Sequence, residues 1–203
     1  MPSTWRRDAL IGGAICLDLV NTAGGRTKAR DADRLATYED LVAWAGTAGV
    51  ITKPEAQSLR RKARANAPAA QAALRRATTF REALHGAVTQ IASGLAPNMA
   101  EQKMLTRQIA RAQGQAVLSL RDGKIDWDIP LVGAGLDTIL ARAALSAIAL
   151  LSREPVQRIR ECERCSWVFL DQSKNGKRRW CSSLICGNRA RVQRHYHLVN
   201  TRT

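Results

Sequence analysis

Cys162-Glu163-Arg164-Cys165-Ser166-Trp167-Val168-Phe169-Leu170-Asp171 and, after a loop, Arg178-Arg179-Trp180-Cys181-Ser182-Ser183-Leu184-Ile185-Cys186 carry four of the chain's five cysteines. Two residues separate the first pair, four separate the second, and fifteen lie between the pairs. Short-spaced pairs joined by such a loop let four thiolates converge on one tetrahedral Zn²⁺, with no coordination position left for a catalytic water. The spacing therefore points to structural Zn²⁺ held by Cys162, Cys165, Cys181 and Cys186. The alternative of two disulfides requires an oxidising compartment. A redox dithiol is usually found at a strand-to-helix junction of a βαβ unit, a context that Cys162-Glu163-Arg164-Cys165 lacks.

The residues between and after the cysteines supply a scaffold. The apolar run Trp167 to Leu170 reads as a strand, Asn175-Gly176 as a hairpin turn, and Lys177 to Trp180 as the returning partner strand. From Gly187 to about Val199 no residue breaks a helix, and Val192, Tyr196 and Val199 fall on one face, predicted to pack inward. Knuckle, hairpin and helix together predict a treble-clef-like module. Asn188 is expected to cap the helix and Arg189 to brace the hairpin. His195 and His197, two apart on a helix, diverge and are expected at the surface rather than on the metal.

Charge bears on partners. Residues 156–203 hold eleven Lys and Arg against three acids, and residues 1–155 hold twenty-one against fourteen, within a formal net charge of +15. Four thiolates and one Zn²⁺ would together subtract two charges from the +8 of the C-terminal segment, leaving a field that attracts a phosphate backbone. Arg191 and Arg194 lie opposite the apolar stripe, and Lys174, Lys177, Arg178 and Arg179 form a basic rim on the predicted hairpin. These six residues are the candidate contacts to double-stranded DNA. The same cations could instead balance a [ZnCys₄]²⁻ centre, form a solvated face, or meet an acidic protein partner. A base-stacking RNA platform lacks its interleaved aromatics, since Trp180 is the one obvious candidate.

Arg178 to Arg189, containing Cys186-Gly187-Asn188-Arg189, closely resembles the signature of the CGNR zinc-finger family, and Cys162 to Asp171 resembles its first half. Upstream, Ile15-Cys16-Leu17-Asp18-Leu19-Val20-Asn21-Thr22 and Tyr38-Glu39-Asp40-Leu41-Val42-Ala43-Trp44-Ala45 resemble the ABATE domain that accompanies this finger in bacterial stress-induced transcription regulators. The resemblance covers nearly the whole chain. It implies an ABATE-like domain over residues 1–155, a CGNR-type finger over residues 156–203, and a role in transcription regulation; by architectural analogy, a helical domain ahead of a DNA-binding module senses an effector or dimerises.

The first 155 residues read as a mainly helical domain. Thr37 with Asp40, and Thr52-Lys53-Pro54-Glu55, are capping boxes; Pro68 opens a long Ala-rich helix ending near Gly94, and Asn98 with Glu101 open another ending near Gly114. Ala116 to Leu120 and Lys124 to Asp128 flank a hairpin turned at Asp122-Gly123, and Leu136 to Leu151 form a last apolar helix before Glu154-Pro155. The expected fold is mainly α: a helical N-terminal domain with one β-hairpin, plus the C-terminal zinc module. No run reads as long or uncharged enough to span a membrane. Arg6-Arg7 and the apolar stretch after Asp8 lack a clean signal-peptide pattern, which points to the cytoplasm.

Nucleotide-loop, nucleophile-elbow and metalloprotease patterns are absent, so an enzyme is not expected. Asp18, Asn21, Thr22 and Arg26 are a candidate small-molecule effector pocket, although Asn and Thr satisfying a helix C-terminus is the plainer account. Cys16 reads as a small buried hydrophobe, and His85 stands alone in a helical pattern. The basic run Arg60-Arg61-Lys62-x-Arg64 reads as a solvated helix face. The reading is a zinc-dependent DNA-binding regulator, with a homodimer as a further expectation; the rival is a zinc-stapled protein-interaction adaptor.

Overall fold

The computed structural model describes residues 5–121 and 123–200. Asp122, in the expected turn, and the side chains of His195, His197 and Val199 lie outside what is described. Helices α1 (Ile15–Val20), α2 (Tyr38–Thr47), α3 (Lys53–Ala65), α4 (Ala67–Ala92) and α5 (Met99–Gln115) come first. Strands β1 (Val117–Arg121) and β2 (Lys124–Asp128) follow, then helices α6 (Leu131–Ala134) and α7 (Thr138–Arg153). Strands β3 (Ile159–Glu161) and β4 (Val168–Leu170) and helix α8 (Asn188–Asn200) complete the chain.

Local chemistry explains the helix starts. Thr37 with Asp40, Thr52 with Glu55, and Asn98 with Glu101 each form a reciprocal capping box that satisfies otherwise orphaned N–H groups. Along α4, Ala70, Ala73, Leu74, Ala77, Phe80, Leu84, Ala87 and Val88 are buried at helical spacing, and this stripe lies against α1, α2, α3, α5 and α7. Trp44, Phe80, Leu84 and Ile139 are fully buried in the resulting core. Cys16 is buried there too, and desolvation pushes its thiol up to about 12, so it behaves as a small hydrophobe.

α7 starts at Thr138, two residues later than predicted, after a 3-10 turn over Gly135–Asp137 in which Gly135 has φ +55°; the Asp137 carboxylate accepts bonds from Arg76 and Arg111. With α6 and the turn between, Leu131–Arg153 is 23 residues of helix, long and apolar enough by composition to cross a membrane. This corrects the expectation that no run is long enough. Half of its apolar 18-residue segment is buried inside the protein, as befits a core helix packed against α1, α4 and α5.

The larger correction concerns the zinc module. β4 pairs antiparallel with β3, placing Ile159 opposite Leu170 and Glu161 opposite Val168, and Lys177–Trp180 forms no strand. The Cys162–Cys165 knuckle is itself the hairpin's turn, closed by Cys162 N–H donating to Trp167 O at 2.8 Å. An apolar partner upstream of the first cysteine outcompetes the downstream Lys-Arg-Arg segment, because Ile159, Val168 and Leu170 all join the main core. Asn175-Gly176 does turn, with Gly176 at φ +60°, inside a loop rather than a hairpin. A π-helical turn, Ser183–Gly187, leads into α8, and Ser182 Oγ rather than Asn188 caps it by accepting from Ile185 N. The order of knuckle, loop and terminal helix remains treble-clef-like. The predicted inward stripe is not buried, however: Val192 and Tyr196 are 46% and 64% exposed, and Arg191 and Arg194 on the other face are exposed too, because α8 packs mainly on the turn before it and projects beyond the body.

Candidate metal centre

All four cysteines of the module are buried, and their sulfur atoms lie within 4.8 Å of one another. Cys165 Sγ to Cys181 Sγ is 3.6 Å, Cys181 to Cys186 is 3.6 Å, and Cys186 to Cys165 is 3.7 Å. A tetrahedron with Zn–S bonds of about 2.3 Å has edges of about 3.8 Å, whereas a disulfide would bring two sulfurs to about 2.0 Å. The cluster fits zinc, and its four thiolates would fill every position of a tetrahedral ion.

Electrostatics point the same way. Hydrogen bonds from Cys165 and Cys181 hold the Cys162 thiol far below its usual range, while the Cys162 partner pushes Cys165 up to about 12 and pushes Cys181 higher still. Without a cation the Cys162 thiolate is favoured at the expense of Cys165 and Cys181; a dication removes that conflict. Polar groups around the sulfurs are already placed. Arg164 N–H donates to Cys162 Sγ at 3.4 Å, and Arg189 Nη2 donates to Cys186 Sγ at 2.9 Å. Arg189 is thus a brace, as expected, but of the sulfur cluster and of Arg26 O rather than of a hairpin.

The helical segment grips this centre from outside. Asn21 Nδ2 donates to Val168 O at 2.8 Å and Asn21 Oδ1 accepts from Val168 N at 3.0 Å, so one carboxamide satisfies both backbone groups of a β4 residue. Leu170 N donates to Gly12 O, covering the rest of that edge. The loop from Ala23 to Arg30 wraps the knuckle. Ser166 N donates to Thr27 O, Trp167 Nε1 donates to Ala23 O, and Lys28 Nζ donates to Cys162 O and pairs with Glu161. A Cβ on Gly25, at φ +107°, would stand 2.5 Å from the Trp167 ring, so that approach requires glycine. His85 Nε2 bonds Ser166 O at 3.2 Å, and burial lowers its pKa.

The candidate pocket residues are placed among these contacts. Asn21 clamps β4, Thr22 Oγ1 donates to Leu19 O and accepts from Arg81, and Asp18 Oδ1 accepts from Gly12 N, its carboxyl pushed up to about 6 by burial. Arg26 is exposed. A groove of about 910 Å³ lies elsewhere, between the β1–β2 hairpin and α7.

The basic candidates divide. Lys174, Lys177, Arg191 and Arg194 are exposed, Arg191 Nη2 reaching Ser183 O at 3.4 Å. Arg178 is turned inward, contrary to a place on the rim: its guanidinium donates to Trp180 O and Cys181 O and stacks 4.3 Å over Phe169. Arg179 pairs with Glu163 and lies over Trp180. Arg60, in the basic run of α3, pairs with Glu39.

Sequence reasoning missed the buried Asp171, which accepts from Ser173 N and Arg178 N and organises the loop; its Asp-x-Ser spacing was the available signal. The clamp by Asn21 had no such signal, because its partner is 147 residues away.

Residues 13–154 match the model of the ABATE family, described as "Putative stress-induced transcription regulator", and residues 158–197 match that of the CGNR zinc finger. Both are regulator and zinc-finger types, neither an enzyme type. Among curated proteins none matches the chain.

Proposed function

The chain belongs to the ABATE family and carries a CGNR zinc finger, and from that premise we propose that it is a DNA-binding transcription regulator whose zinc is structural. Four buried thiolates saturating a tetrahedral ion leave no site for substrate or water, which supports a stapling role. The observation that carries DNA binding is the projecting α8, which holds Arg191 and Arg194 exposed beside a loop bearing exposed Lys174 and Lys177. Arg179 joins them by exchanging Glu163 for phosphate, since an exposed ion pair contributes little. Arg178 acts indirectly by shaping the loop. The division at residues 155 and 156 is a functional one: the helical segment holds the finger at a set angle through Asn21 and the Ala23–Arg30 loop. The homodimer and the reducing cytoplasm, where thiols stay available for metal, belong to the same reading. The bonds of Asp18, Asn21 and Thr22 support a holding role rather than an effector pocket.

The test is fluorescence anisotropy of zinc-loaded protein with promoter and random duplexes at two salt concentrations. Arg191→Ala with Arg194→Ala should weaken binding and reduce the salt slope by about two units. An unchanged slope removes both from the interface. A protein-docking reading is favoured by one observation: Leu184, Ile185, Val192 and Tyr196 are exposed on the same module. Equal binding to an acidic polypeptide would shift the conclusion to it.

A further inference from the structure

The β1–β2 hairpin has an unusual distribution of side chains. The register sets Leu118 opposite Trp127 and Leu120 opposite Ile125, so all four share one face of the two-stranded sheet. Each is between 59% and 71% exposed. An isolated two-stranded hairpin is marginal in water unless its apolar face packs on a helix or on more strands. Among the described residues this face does neither: the hairpin residues that line the groove toward Leu145, Ile148 and Ala149 of α7 are Ser119, Asp126 and Asp128 of the opposite face, joined by Trp127.

We propose that this apolar face is a homodimer contact, covered by the same face of a second copy of the chain. It names the surface for the dimer part of the function proposed above, and does not depend on DNA binding. Area and charge both favour that occupant. Four large side chains at this exposure present on the order of 500 Å² per copy, so a two-fold pair buries about 1,000 Å², the lower bound for a specific interface. The chain carries a net +15, which makes most surfaces repel their own copies, yet residues 117–128 hold two basic against three acidic residues. The hairpin is a place where two strongly cationic chains can meet without that repulsion. A face pairing with itself about a two-fold axis also closes the assembly at two copies.

Sedimentation of the full zinc-loaded chain, without DNA, over a concentration series tests this. The wild type should reach twice its 22.2 kDa mass, and Leu120→Asp with Ile125→Asp should weaken association by about 100-fold or more, while Leu120→Met retains it. Both variants should keep the helical circular-dichroism signal, because the changed side chains lie outside the core. In the wild type alone, hydrogen exchange at β1 and β2 should slow with rising concentration. A wild type monomeric throughout, with a fast-exchanging hairpin, overturns the proposal and the dimer reading together. A dimer that survives the double aspartate substitution overturns this surface only. Neither outcome bears on the salt slope with DNA.

Discussion

Replacing Asn21 with Ala removes two buried hydrogen bonds, at 2.8 and 3.0 Å, that tie helix α1 to strand β4 of the finger. Val168 is fully buried, so no water can replace the lost carboxamide at its N–H and C=O. Each bond contributes about 1 kcal/mol net, and an orphaned buried backbone group raises the loss toward 1–3 kcal/mol, so the total is about 2–4 kcal/mol. For a chain of this size that lowers Tm by about 4–16 °C. Thermal unfolding of the zinc-loaded protein, followed by circular dichroism, measures it. Zinc transfer to a chromophoric chelator should accelerate in parallel, because the clamp holds the hairpin whose turn carries Cys162 and Cys165. Asn21→Asp should do no better than Ala, since it loses the donor to Val168 O and places a charge in the core. A Tm within about 1 °C of wild type, with unchanged zinc transfer, would refute the claim that the helical segment holds the finger through this residue.

Three other outcomes are expected. Gly25→Ala, whose Cβ would stand 2.5 Å from the Trp167 ring at a φ of +107°, should displace the knuckle and speed zinc release about tenfold or more; release at the wild-type rate in the chelator assay would show that the loop is not in contact with the knuckle. Asp18 has a folded-state pKa raised by burial to about 6, above its unfolded value of about 3.9, so its protonated form favours the fold. Its contribution is complete below about pH 4 and is lost as pH rises through about 6, and Asp18→Asn, which keeps an acceptor for Gly12 N, should raise Tm at pH 7 and flatten its fall between pH 4 and 6; an unchanged Tm–pH profile refutes it. Zinc removal by a strong chelator should open residues 171–200 to proteolysis while the helical core resists, because Ile159, Val168 and Leu170 stay packed in that core; mass spectrometry of the fragments decides between this and uniform digestion.

Much of the fold was legible because its determinants are local. Capping boxes at Thr37, Thr52 and Asn98 act over three residues, the β1–β2 register follows from the chain reversing around Gly123, and the cysteine spacing encodes the metal set directly. The partner of β4 was not legible. A strand after a cysteine knuckle can pair upstream or downstream, and the choice fell to whichever segment could bury Ile159 against α4. The burial of the α8 stripe was misread for a related reason. Periodicity shows that Val192 and Tyr196 share a face, not whether anything stands opposite it.

The sequence by itself determined the helical class of residues 1–155, the four thiolates and their metal, and the basic bias of residues 156–203, since composition and short-range spacing carry all three. Only the tertiary structure decided that Asn21 and the Ala23–Arg30 loop hold the finger, that Arg178 and Arg189 serve the loop and the sulfurs while Arg191 and Arg194 face outward, and that the β1–β2 apolar face is left open. Contacts between residues more than a hundred positions apart leave no periodic trace along the chain, and a cation's role depends on which neighbour the packing brings within hydrogen-bonding distance.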